Sequence, residues 1–211
     1  MATPPSMKTL FSEEKRMFAS SQSNDLHGVP ITEDAFERLI SIENPYRYEF
    51  IDEVVYDMTE SNPEHSEIVG NIFNFIHAQI VKEDLCKVYR DRYVAIPFKP
   101  SVMSDVIITC DSTERDDDQQ LEAFKVQAPH IVIEVLSPST ENYDRTEKFA
   151  RYQCSPSLEV YMLAHLDEPY VEVYRRETNW RQERVSAGQA IKLDQIGLEL
   201  PVDMIYAGIF S

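Results

Sequence analysis

Glycine is scarce in this chain. Its 211 residues include five (Gly28, Gly70, Gly188, Gly197 and Gly208), no two of them close. Neither a Gly-rich phosphate loop nor a dinucleotide-binding fingerprint can be built from them. Cysteine is scarcer still. Cys86, Cys110 and Cys154 are odd in number and widely spaced, which fits free thiols in a reducing, cytoplasmic compartment better than a disulfide framework. The five histidines form no HxH or HExxH pattern and CxxC is absent, which argues against a zinc site. Apolar runs stop after a handful of residues, short of the ~20 that span a bilayer, and no apolar core follows the N-terminal charges. No membrane segment or signal peptide is expected. Positive charge is also short: 20 Lys and Arg against 37 Asp and Glu give a net charge of −17, which counts against a polyanionic partner. The acids are unevenly spread, however, with residues 111–122 holding six of them against Arg115. Exposed charge is screened over roughly 8 Å at physiological salt, so an acidic loop on one side leaves room for a local basic site elsewhere.

What is present is an ordinary globular mixture, 43% hydrophobic and 27% charged, enough for one sizeable core. Residues 1–29 are polar and aperiodic and read as a flexible N-terminal arm, with the domain proper over 30–211. Thr32 is a fitting cap for a helix carrying Phe36, Leu39 and Ile40. The aromatic and β-branched stretch from Tyr46 to Met58, broken by Asp52-Glu53, reads as a hairpin. Asn62 and Pro63 open a helix whose Ile68, Val69, Ile72, Phe73, Ile76 and Ile80 repeat every 3.6 residues. Strands follow at 87–90, 92–97 and 103–110, then the acidic loop. Ile131-Val132-Ile133-Glu134-Val135-Leu136 is apolar on both faces apart from one carboxylate, the pattern of a strand covered on both sides. Thr140 to Gln153 reads as a helix, residues 158–164 and 170–175 as strands, and 180–193 as an edge hairpin. The order implies an α/β (α+β) fold, a mixed central sheet flanked by helices.

Glu134 is the most informative residue. A carboxylate within a buried strand costs several kcal/mol unless it is paired, metal-bound or protonated. Asp105 poses the same problem in Met103-Ser104-Asp105-Val106-Ile107-Ile108. Two acids on adjacent buried strands repel unless a cation lies between them, and a hard divalent ion held by carboxylate oxygens and water answers this. Lys148, placed beside the Phe149 and Tyr152 face of its helix, is a cation that can face Glu134, or else a surface partner for Asp144. The Asp116-Asp117-Asp118 cluster lacks the glycine and terminal glutamate of a calcium loop and reads as solvated.

These residues fall in a known order: Tyr48-Glu49-Phe50-Ile51-Asp52-Glu53, Pro63-Glu64-His65, Ser104-Asp105-Val106, Ala128-Pro129-His130 through Glu134-Val135-Leu136-Ser137-Pro138-Ser139-Thr140, then Asp144 and Glu147-Lys148. From about Ile31 to Ile209 the chain resembles the Uma-type restriction endonuclease family of the PD-(D/E)XK nuclease superfamily. The resemblance implies a restriction-endonuclease-like core, Mg²⁺ (with Mn²⁺ as a substitute) held by Asp105 and Glu134, and phosphodiester hydrolysis of nucleic acid, with DNA the expected substrate. The proline usual before the strand aspartate is Ser104 here. The lysine expected two positions after the glutamate is Leu136, which makes Lys148 on the next helix its replacement. A glycine turn usual in the first hairpin is Asp52-Glu53. Asp105, Glu134 and Lys148 are the expected catalytic group, with Glu49, Glu53 and His65 in support and Arg145 and Arg151 as candidate phosphate contacts. A homodimer is expected by analogy, because cutting two strands requires two sites. The alternative is an inactive nuclease-fold module that binds nucleic acid or a protein without cutting.

Overall fold

The computed structural model describes residues 26–41, 47–58, 62–80, 86–112 and 125–210. Residues 1–25 of the expected arm and most of the acidic loop, including Asp116-Asp117-Asp118, lie outside them. Strands β1 (Val29–Pro30), β2 (Tyr48–Ile51) and β3 (Val54–Asp57) make a small sheet in the order β1-β3-β2. Helix α1 (Glu33–Ile40) packs on it, capped by Thr32, whose hydroxyl accepts the Ala35 N–H at 3.2 Å. The β2–β3 turn is two residues long, with Asp52 and Glu53 both in the left-handed region (φ 49° and 62°). That is the backbone a tight hairpin demands, adopted here without glycine.

The main sheet is built from β4 (Lys87–Val94), β5 (Val102–Thr109), β6 (Lys125–Val126), β7 (Ile131–Val135), β8 (Val160–Ala164), β9 (Tyr170–Arg175) and β10 (Gln182–Ser186). Their order is β10-β9-β8-β7-β5-β4-β6, with β7 parallel to β8 and antiparallel to β5. It is the mixed sheet flanked by helices that the pattern implied, with β7 at its centre and every residue of β7 buried. Helix α2 (Pro63–Ile80) lays Ile68, Val69, Ile72, Ile76 and Ile80 against Ile131, Ile133 and Val135 of β7 and Val160 and Met162 of β8. Burial of each such side chain stabilises the fold by about 1.5–3 kcal/mol. On the opposite face, Val132, Tyr161 and Leu163 pack with Tyr152 and Leu158. Strand alternation therefore points Glu134, two residues after Val132, toward that second face. The helix covering it, α3, has three consecutive segments, Glu141–Tyr143, Asp144–Lys148 and Phe149–Gln153, the middle one a π turn. A third cluster joins Phe36 and Leu39 of α1 and Phe50 of the small sheet to Tyr93 and Met103, fixing the hairpin beside β5.

Three readings are corrected. The strands expected separately at 87–90 and 92–97 are one strand, β4, whose pairing with β5 skips Asp91 (φ 53°) and resumes at Arg92 in the same register. Residues 180–193 do not form one hairpin. β10 pairs with β9 as the sheet edge, while β11 (Ala190–Leu193) pairs with β12 (Leu198–Pro201), and this pair packs with α4 (Val202–Ile205) against the α2 face. The cysteines are not all free thiols. Cys86 and Cys110 form a disulfide, and Cys154 alone is free and exposed. The β4–β5 register explains the pairing: Lys87 lies opposite Thr109, so the residues one step further out meet. The disulfide removes the compositional argument for a reducing compartment. Among the described residues no helix is long and apolar enough to cross a membrane.

Candidate active site

The β5–β7 ladder pairs Ile108 with Ile131, Ile107 with Val132 and Val106 with Ile133, then stops. At the next step the carboxylates take over the backbone's role. The Val135 N–H donates to Asp105 Oδ2 at 2.8 Å, and the Asp105 N–H donates to Glu134 Oε2 at 3.3 Å. The sheet is thus opened at its centre, with two acids bridging the gap.

Around this opening lies a cavity of about 270 Å³, lined among others by Arg47, Glu49, His65, Asp105, Glu134, Asp144 and Lys148. Lys148 Nζ stands 3.1 Å from Glu134 Oε2, 3.3 Å from Glu49 Oε1 and 3.4 Å from Asp144 Oδ1, with 8% of its side chain exposed. The π turn is what faces both Asp144 and Lys148 into the cavity, and its Asp144 carbonyl accepts the Tyr161 hydroxyl at 3.0 Å. Tyr152 donates to Glu134 Oε1 at 2.7 Å. At the mouth of α2, Asn62 Oδ1 accepts the His65 N–H at 2.7 Å and seats the ring 3.3 Å from Asp105 Oδ2.

Four buried or half-buried carboxylates share one ammonium and one imidazole. Burial pushes Glu49 up to about 7 and Glu134 well above the usual carboxylate range, even with Lys148 beside them. Burial raises Asp144 as well, despite Lys148 and the Thr140 hydroxyl. For Lys148, burial alone would favour the neutral amine, but the attraction of Glu134, Asp144 and Glu49 outweighs it and keeps the group charged. Burial would likewise raise Asp105, yet the His65 bond and charge hold it below its usual value. The same pairing raises His65 against its own desolvation.

The structure brings Asp105, Glu134, Lys148, Glu49 and His65 to one place. It departs from the sequence reading at Glu53, Arg145 and Arg151. Glu53 sits on the exposed hairpin turn and does not line the cavity. Arg145 donates to Glu172 and to Glu141 (2.9 Å) on the far side of α3, and Arg151 pairs with Glu147. Two cavity residues escaped the sequence reading. Asp144 was visible only as a helical neighbour of Lys148, and the π turn that directs it inward has no simple sequence signature. Arg47 precedes β2 and pairs with Asp91. Its signal, a lone cation beside a hairpin acid pattern, is too common to single out.

Among the described residues no group of three His, Cys, Asp or Glu side chains forms a ready-made metal cage. A hard cation still fits what is there. The donors are carboxylate oxygens, acid exceeds base, and Glu49 Oε2 is buried without a hydrogen-bond partner among the described residues. An ion held by two carboxylates that completes its shell with water is the habit of Mg²⁺.

Comparison with known proteins places this geometry in context. The family model Uma2, described as "Putative restriction endonuclease", matches residues 33–203. The uncharacterized protein slr1290 of Synechocystis sp. (strain ATCC 27184 / PCC 6803 / Kazusa) is 29% identical over 167 residues, 77% of this chain and 85% of its own. The crystal structure of a "putative nuclease belonging to DUF820" from Anabaena variabilis ATCC 29413 superposes with a TM-score of 0.69 at 19% identity, over 84% of this chain and 98% of that one. At that identity it attests the fold.

Proposed function

This chain belongs to the Uma2 restriction endonuclease family, and from that premise we propose that it is a divalent-metal-dependent endonuclease that hydrolyses phosphodiester bonds of DNA. The observation that supports this most is the meeting of Asp105, Glu134 and Lys148, from two central strands and the covering helix, at a gap in the sheet beside an open cavity.

Asp105 and Glu134 would hold the cation, Mg²⁺ or Mn²⁺. When bound, it supplies an acidified water and a polarised phosphate. The remaining work belongs to the chain. Lys148, fixed by three acids, keeps a positive charge at the floor of the cavity, where it orients the attacking water and offsets the charge that grows on the pentavalent phosphorus. His65 holds Asp105 ionised and in place, the part played by outer partners of metal ligands. Arg47 lines the cavity and puts at its wall a guanidinium, a group whose planar fork suits phosphate oxygens. Tyr152 fixes the Glu134 rotamer. Cutting both strands of a duplex needs a second such site, which a second copy of the chain would supply.

The test is incubation of the purified protein with circular and linear DNA, and with RNA, in Mg²⁺ or Mn²⁺. Nicking or degradation of DNA that is lost on chelation and in Glu134→Gln supports the reading. Equal activity in the variant, or none in the wild-type protein with either metal, defeats it.

A further inference from the structure

The connection between β4 and β5 holds a feature the catalytic reading does not use. Lys99 donates its N–H to the Ile96 carbonyl at 3.2 Å, closing a turn with Pro97 and Phe98 at its centre. Proline suits the second position. The third takes φ 58°, a backbone region that glycine or asparagine normally supplies in such turns, yet it is occupied by Phe98. The aromatic side chain gains nothing from burial in return, being fully exposed at 102% of its reference area. The turn is also held firmly at its base. Glu37 accepts the Ser101 N–H at 2.6 Å and pairs with Lys125, Ala95 donates to the Val126 carbonyl at 2.9 Å, and Pro100 is buried. A strained, exposed phenylalanine on a fixed base is explained by contact with something outside the fold.

Local charge and position indicate what that is. In a chain of net charge −17, the stretch from Arg92 to Ser104 has no acid and carries Arg92 and Lys99. Lys99 is exposed and has no ion pair among the described residues. The turn also leads directly into the strand that bears Met103 and Asp105 of the cavity. Seven residue steps of chain link Phe98 to Asp105, at most about 24 Å, or some seven base-pair steps. We propose that this turn is a second nucleic-acid contact, in which Phe98 stacks on an unpaired base flanking the cut and Lys99 meets the adjacent phosphate. Aromatic stacking needs a free base face, so the substrate preferred at this contact is single-stranded or locally unpaired. The inference rests on the nuclease reading and adds a substrate class to it.

The experiment uses the full chain carrying Glu134→Gln, so that the probe survives, with anisotropy of labelled single-stranded DNA and of the matching blunt duplex in Mg²⁺. Phe98→Ala is expected to weaken single-strand binding on the order of tenfold, with a smaller change for the duplex, while Phe98→Trp keeps the affinity. Lys99→Gln should lower the slope of log affinity against log salt by about one. Phe98→Gly, which relaxes the turn, should melt no lower than the parent and bind as weakly as Phe98→Ala, separating lost contact from lost fold. Unchanged single-strand affinity in Phe98→Ala overturns the proposal. So does a change confined to sedimentation, marking a surface between copies, or to binding of phosphatidylglycerol vesicles, marking a membrane contact. If wild-type protein cleaves DNA but Phe98→Ala binds normally, the turn assignment alone fails. If wild-type protein neither cleaves nor binds DNA, the nuclease reading fails with it.

Discussion

Lys148 Nζ lies 3.1 Å from Glu134 Oε2, deep beneath the helix that carries the lysine. The same ammonium also meets Glu49 and Asp144, so the group is asymmetric: three acids depend on one base. Loss of an acid leaves the lysine two partners. Loss of the lysine leaves three buried carboxylates without a counter-charge.

Lys148→Met is therefore expected to abolish DNA cleavage and to destabilise the fold by about 3 kcal/mol, the scale of breaking a buried ion pair. Glu134→Gln is expected to abolish cleavage with a much smaller change in melting temperature. Denaturant titration beside the cleavage assay separates the two. A lysine variant as stable as the wild type would show that the acids are neutral without it.

Mn²⁺ or Mg²⁺ should raise the melting temperature of the wild-type protein, because an ion bound by the folded state alone stabilises it by about 2.7 kcal/mol at a hundred times its dissociation constant. Asp105→Asn removes one of the two proposed anionic ligands and should remove that rise. Calorimetry with each metal reads both. A rise that persists in the variant would locate the ion elsewhere.

Another buried carboxylate, Glu172, lies outside the cavity lining. Burial would raise Glu172, but hydrogen bonds from Arg145, Tyr174 and His165 hold it below its ordinary value of 4.5. With the folded-state value depressed, its contribution to stability is complete above pH 4.5 and is lost as pH falls through the lower folded value. Glu172→Gln should flatten that acid limb of the stability curve and leave its neutral-to-basic limb nearly parallel to the wild type. Arg145→Gln should lower stability in the same way, as expected for a side chain whose guanidinium is committed to Glu172 and Glu141. Urea midpoints measured across the acid range decide this.

The Cys86–Cys110 disulfide predicts one alkylatable thiol before reduction, at Cys154, and three afterwards, read by mass spectrometry. With a sequence separation of 24 between the linked positions, removal of the link should destabilise the chain by about 3 kcal/mol on the loop-entropy estimate. A melting temperature indifferent to reductant would contradict this.

Much of the architecture was legible along the chain because the signals are local. The 3.6-residue stripe of α2, the Asn62-Pro63 start, the Thr32 cap and the doubly buried run of β7 are each read within one element. Glu134 and Asp105 declared themselves for the same reason, as single charges inside apolar strands. What failed to show depended on partners distant in sequence. The disulfide follows from β4–β5 register, the pairing of β11 with β12 from competition between edges, and the commitment of Arg145 to Glu172 from the placement of a strand outside the helix's own neighbourhood.

The residue pattern by itself determined the kind of fold and the acids that a buried strand cannot tolerate alone, since hydrophobic period and the desolvation of charge act on each segment wherever it lands. Only the folded arrangement decided what answers those acids. Ladder breakage at Val106 and Ile133, the π turn at Asp144–Lys148 and the docking of the first hairpin bring Glu49, His65 and Lys148 to Asp105 and Glu134. Coulomb attraction acts over a few ångströms of space, whatever the separation along the chain.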